Sequence, residues 1–144
     1  MIAVDTNILV YAHRRESPFH EAAKVCVREL AEGDGSWAIP WPCVHEFLAI
    51  TTSPRIFKHP TPIAAALAQV DHWRDSPSLK LIGEDEGYWP AFAQLVRSGD
   101  IRGSKVHDAR IAALALAHGV RELLSADRDF SRMAPLSVRN PLRS

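Results

Sequence analysis

Residues 1–10 read "MIAVDTNILV", four apolar or small residues that stop at a carboxylate before the apolar pattern resumes. Ile2 to Val4 is too short and too β-branched to begin a helix, so it is expected as a buried strand with Asp5 at its carboxyl end. Two readings of Asp5 then compete. An Asp before an apolar run is a common helix N-cap. Equally, the carboxyl edge of an open α/β sheet is where ligands bind. The decision rests on whether other acids fall at corresponding places.

Outward from this stretch, strands and helices alternate. "SPFHEAAKVCVRELAEG" (17–33) predicts an amphipathic helix capped by Ser17, with Pro18 in its first turn and Gly33 at its stop. "SWAIP" (36–40) reads as a buried strand and "PCVHEFLAITTS" (42–53) as a helix carrying His45 and Glu46 in its first turns. "TPIAAALAQVDHWRDS" (61–76) is helical, "LKLI" (79–82) a strand, and "EGYWPAFAQLVRSG" (86–99) a helix in which Pro90 marks a first turn. "KVHDARIAALALAHG" (105–119) is an Ala- and Leu-rich helix stopped by Gly119. "ELLS" is a short strand, "ADRDF" an acidic turn and "LSVRN" a closing edge strand. Alternation of this kind implies a three-layer α/β/α domain with a mainly parallel sheet. No linker or repeat divides the chain, so one domain spanning 1–144 is expected.

With 144 residues, 47% hydrophobic and 24% charged, the chain is long enough for a core without staples. Seventeen basic and seventeen acidic residues cancel, so no whole-protein field draws it to nucleic acid or an anionic membrane. Any nucleic-acid binding must be local. Cys26 and Cys43 are too few for a disulfide framework, and no segment approaches a membrane span or an export signal; a cytoplasmic protein is expected.

The isolated acids fall in a pattern. Asp5 ends the first strand, Glu46 and Asp108 sit near helix starts in apolar surroundings, and Asp127 follows the strand "ELLS", with Asp129 two residues on. Strand ends and the first turns of the helices that follow them share one edge of a parallel sheet, so these acids converge if the strands are neighbours. Each has a bland alternative: a dipole-complementing residue for Asp108, a solvated one for Glu46, turn formers for Asp127 and Asp129. Converging carboxylates call for a cation, and all-oxygen ligation favours Mg²⁺ or Mn²⁺.

The segments "VDTNILVYA", "HEFLAI", "HDARIAALALAHGV" and "LLSADRDFSRM", in this order, resemble the PIN-domain family, in particular the VapC-type ribonuclease toxins of type II toxin–antitoxin pairs. The resemblance runs from residue 1 to "NPL" near the end, and it implies a metal-dependent endoribonuclease. Asp5, Glu46, Asp108 and Asp127 match the family's acidic positions as metal ligands and catalytic groups, with Asp129 as an alternative source of the fourth carboxylate. Thr6 and Ser125 match small hydroxyl positions beside the ligands, and Asn7 would orient Asp5 or help to terminate the strand. A VapB-like antitoxin lying along a helical groove, an RNA substrate and a homodimer are implied in the same way.

Other signals are weaker. No HExxH or paired Cys/His spacing supports zinc, and no GxSxG, Walker or GxGxxG pattern supports a serine hydrolase or nucleotide cradle. Arg14, Arg15, Lys105, Arg110, Arg128 and Arg132 lie near the acidic motifs and are candidates for RNA phosphates, against a reading as solvated decoration. The four tryptophans are expected in the core or in helix packing. Two competing functions are a catalytically silent RNA- or protein-binding module and an aspartyl-nucleophile phosphatase; the second is weakened because "DTN" lacks a second nearby aspartate.

Overall fold

The computed structural model describes residues 1–128, 130 and 133–143. Strands β1 (Ile2–Val4), β2 (Trp37–Pro40), β3 (Leu79–Ile82), β4 (Glu122–Leu124) and β5 (Ser137–Arg139) form one sheet in the order β3-β2-β1-β4-β5. Every pairing is parallel. Parallel strands covered on both faces need continuous apolar runs rather than alternation. All four residues of β2 are buried, as are Ala3 and Val4 of β1 and Leu123 and Leu124 of β4.

Between the strands run α1 (Thr6–His13), α2 (His20–Glu32), α3 (Trp41–Thr51), α4 (Ile63–Arg74), α5 (Tyr88–Gly99) and α6 (Lys105–Ala117). The chain steps outward from β1 to β2 to β3 through α1–α4, then returns across β2 and β1 through α5 and α6 to reach β4. Right-handed crossovers taken in opposite directions put the two helix groups on opposite faces, giving the expected three layers. Packing agrees: α1 lies against α2 and α3, α3 against α4, and α5 against α6. The side chains of Trp37, Phe47, Ile8, Leu9, Ile39 and Leu114 fill the centre. Phe47 meets Trp73 edge-on at 4.9 Å between ring centres, and the Trp37 indole N–H donates to Ser76 Oγ at 3.1 Å. Trp37 and Trp73 are thus core residues, whereas Trp41 and Trp89 are exposed.

Helix boundaries mostly fall where the sequence put them. Pro90 occupies the first turn of α5, and Gly119, in the left-handed region at φ +74°, ends the run that began at Lys105. One start differs. α2 begins at His20 rather than at Ser17, because Ser17 closes a turn instead of a cap: its Oγ accepts from the Phe19 N–H at 3.1 Å and its carbonyl from the His20 N–H at 3.1 Å. His20 Nδ1 then bonds the Tyr11 carbonyl at 2.9 Å, tying the helix start to α1.

Candidate active site

β1 has β2 on one side and β4 on the other, and the crossovers leave in opposite directions from here. Such a switch point opens a crevice beyond the carboxyl ends of the two strands. Val4 pairs with Leu124 in the last register position, so the next residues, Asp5 and Ser125, emerge side by side. Both are buried, and the Ser125 hydroxyl donates to Asp5 Oδ2 at 2.7 Å.

Ser125 is fully engaged. Its Oγ also accepts from the Asp127 N–H at 3.0 Å and from Asn7 Nδ2 at 3.2 Å. A hydroxyl has one hydrogen and two lone pairs, so with both acceptor sites taken its proton is directed at Asp5. Asn7 reaches Asp5 Oδ2 as well, at 3.4 Å, while its Oδ1 accepts from the Ala126 N–H at 3.1 Å. Asn7 therefore laces the start of α1 to the turn after β4.

The other carboxylate oxygen, Oδ1, accepts from the Thr6 N–H at 2.8 Å and faces the Cys43 thiol at 3.7 Å. Asp5 is also the N-cap residue of α1. The cap reading is therefore met, and the bond that seats the helix start also orients the carboxylate at the carboxyl edge of the sheet. Thr6 passes the connection on, its Oγ1 donating to Glu46 Oε2 at 3.0 Å from the second turn of α3. Two of the expected acids, Asp5 and Glu46, are thus joined through one residue, Thr6, whose N–H serves the first and whose hydroxyl serves the second, with Asn7 and Ser125 beside them.

Asp127 is half-buried directly after the strand, its backbone on Ser125 Oγ; Asp108 is half-buried in the first turn of α6. Asp129 and Arg132 lie outside the described residues. Among the described residues, no three His, Cys, Asp or Glu side chains stand together in a form that would hold a metal ion. Uncompensated carboxylates repel, and here they rest on neutral donors instead: Asp5 on Ser125 and Thr6, Glu46 on Thr6. Of the basic residues considered above, Arg110 is paired with Glu84 at 2.6 Å and Arg14 is held by Glu16 and Thr61.

Burial dominates the electrostatics. It pushes the Asp5 carboxyl up to about 6, helped by the Glu46 charge and opposed by the bonds from Ser125, Thr6 and Cys43. Burial and the neighbouring Asp5 likewise hold the Cys43 thiol well above its ordinary range, so it stays protonated and is no thiolate ligand. Cys43 was not singled out from the sequence, although it stands three residues before Glu46 on the same helix, a spacing that puts both on one face. The donor set at this corner is carboxylate and hydroxyl oxygen around a carboxylate short of positive charge. That chemistry fits a hard divalent cation and not zinc.

Residues 2–136 match the PIN domain family. The chain belongs to the PIN domain family. Among its PIN relatives, "Ribonuclease VapC48" of Mycobacterium tuberculosis is 31% identical over 95% of this chain and 94% of its own length. "Ribonuclease VapC43" of the same species is 35% identical over 99% and 96%. The PIN fold is matched by VapBC2 from Rickettsia felis, solved with a DNA fragment from its promoter, at a TM-score of 0.71 and 20% identity, covering 97% of this chain and 98% of that one. These findings bear out the family resemblance and the α/β architecture read from the sequence.

Proposed function

We propose that this protein is a metal-dependent endoribonuclease of the VapC type, the toxin of a toxin–antitoxin pair, with residues 1–144 acting as one unit. The observation that carries this reading is the buried Asp5 carboxylate at the switch point, bonded across to Ser125 and connected through Thr6 to Glu46 in a PIN-family chain. The names of its VapC relatives, each a ribonuclease, support the reaction class.

Asp5 and Glu46 would hold Mg²⁺ or Mn²⁺, joined by Asp108 and by Asp127 or Asp129. When bound, the cation supplies charge neutralisation at the phosphodiester and a more acidic water. The protein's own part is positioning. Ser125 and the Thr6 N–H fix both oxygens of Asp5 from opposite sides, so the carboxylate is aimed before any ligand arrives. Thr6 Oγ1 holds one oxygen of Glu46 and leaves its carboxylate to orient the attacking water. Asn7 keeps α1 and the 125–127 turn in register, and Cys43 closes the buried side of Asp5.

The partner in this reading is a VapB-like antitoxin, in keeping with the VapBC complex of similar fold, and the toxin pairs as a homodimer in the cytoplasm. No helix among the described residues is long and apolar enough to cross a membrane. The test is cleavage of labelled RNA by the wild type and by Asp5→Asn, with Mg²⁺, Mn²⁺ or chelator. Cutting should need metal and vanish in the variant. Intact RNA after incubation of folded wild type with either metal would refute the reading, and undiminished cutting by the variant would refute the site.

A further inference from the structure

α1 and α3, the helices that bring Asp5 and Glu46 together, also build a second site at their far ends. There His13, Arg14, Arg15 and Glu16 face the 56–61 segment across a cavity of about 570 Å³, a size that accepts a nucleotide-sized ligand. Its floor is fixed. Buried Thr61 donates its N–H to the Thr51 carbonyl at 2.8 Å, anchoring the segment to the end of α3. Its hydroxyl contacts His13 Nε2 at 3.1 Å and accepts from the Arg14 guanidinium at 3.1 Å. The Arg14 guanidinium lies 4.0 Å over the Phe57 ring and is held by Glu16, and the Arg14 side chain is only 12% exposed.

Arg14 is therefore part of the wall, and the rim carries the remaining charge. Arg15 and Lys58 are exposed at the mouth with His59, and Glu16, the one acid in the lining, is turned onto Arg14. Three Lys or Arg against one Glu leave a local excess in a chain whose total is zero. Exposed Ile56 and half-buried Phe57 supply an apolar surface beside those cations. Cations next to an apolar and aromatic wall suit a polymer with repeating phosphates and planar bases. They suit an acidic peptide less well, since the Arg14 fork is already occupied and carboxylates would engage the Arg15 fork while leaving the apolar wall unused.

We infer that this cavity is a phosphate-and-base subsite for the RNA strand, lying along α1 from the cleavage site. The inference rests on the ribonuclease reading above. The eight residues of α1 span about 12 Å, so the cavity lies within a few nucleotides of Asp5 along a bound strand. Arg15 and Lys58 act as positioning residues: they engage the strand and not the scissile bond.

The test uses a labelled single-stranded RNA and the variant Arg15→Ala/Lys58→Ala, both residues being exposed. Binding is measured in chelator over a salt series. Each lost phosphate contact weakens binding about fivefold at about 0.1 M salt, so the Kd should rise about 25-fold and the slope of log K against log salt should flatten by about 1.4. With metal, KM should rise on RNA long enough to reach the cavity while kcat holds, and dinucleotide cleavage should be unchanged. An unaltered Kd and salt slope in a variant whose wild type binds and cuts RNA would overturn the inference alone. So would loss in the variant of binding to an oligoglutamate probe with RNA binding intact, which would reassign the cavity to an acidic peptide. Wild type that neither binds nor cuts RNA would overturn the ribonuclease reading as well.

Discussion

Asp5→Asn should make the metal-free protein more stable while removing its activity, and the gain should depend on pH. Burial raises the Asp5 carboxyl from 3.8 to about 6. Between those values the folded chain keeps a proton that the unfolded chain has released, so raising the pH through that window destabilises the fold. Above the window the cost of ionising Asp5 is about 3 kcal/mol. Asn has no charge to bury and escapes that cost. It loses something else: its NH₂ group meets either the Thr6 N–H and Cys43 thiol or the Asn7 amide and the saturated Ser125 hydroxyl, and an imperfect bond there costs about 1 kcal/mol. The net gain is about 2 kcal/mol at neutral pH, or about 4–8 °C in Tm for a domain of this size. Below the unfolded value of 3.8 the carboxyl is protonated in both states, so the gain disappears and the variant becomes the less stable by about 1 kcal/mol, the two curves crossing a little above pH 4. The assay is thermal unfolding of both proteins in chelator at several pH values from about 4 to 8. Parallel Tm curves with no crossing would refute the argument, because they would mean that Asp5 carries no ionisation cost. Added Mg²⁺ should then raise the wild-type Tm and leave that of Asp5→Asn unmoved.

Ser125→Ala removes the hydroxyl on which the Asp127 and Asn7 N–H groups and Asp5 Oδ2 all depend. Urea unfolding should show a loss of about 1–3 kcal/mol, and the Mg²⁺ concentration needed to stabilise the protein should rise about 10–100-fold. Thr6→Val cuts the bond to Glu46 but keeps the Thr6 N–H on Asp5, so kcat for RNA cleavage should fall with KM held, and far-ultraviolet circular dichroism should be unchanged. Cys43 should resist a thiol reagent in the native protein and react only on unfolding, since it is fully buried and its thiol is held protonated; labelling followed by mass spectrometry reads this directly.

Much of the fold is local and therefore readable in the chain. Ile2–Val4 and Trp37–Pro40 are short apolar runs, Leu79–Ile82 is a short run broken only by the exposed Lys80 of an edge strand, and Gly119 stops α6 where a left-handed residue is needed. Strand order is not local. That β4 pairs with β1 across more than a hundred residues of chain follows from how the crossovers pack, and no residue of "ELLS" announces it. The partnership of Asp5 with Ser125 was for that reason an expectation from family likeness rather than from periodicity. The Ser17 start of α2 misled because a Ser–Pro pair serves a turn as well as a cap, and the tie from His20 to Tyr11 selects the turn. Asp5 is the N-cap through one carboxylate oxygen, and with its other oxygen turned to Ser125 that cap is compatible with the site role proposed above.

The saturated Ser125 hydroxyl has a further effect. A free hydroxyl is a rotor, and stopping it when a ligand arrives subtracts entropy from the binding. Here the rotor stops when β4 docks beside β1, so the disorder is lost once, during folding, and an incoming cation meets a partner already at rest. Mutations that loosen the 125–127 turn without touching a carboxylate should then weaken the cation's grip through entropy alone, and calorimetry would register the change in TΔS rather than in ΔH.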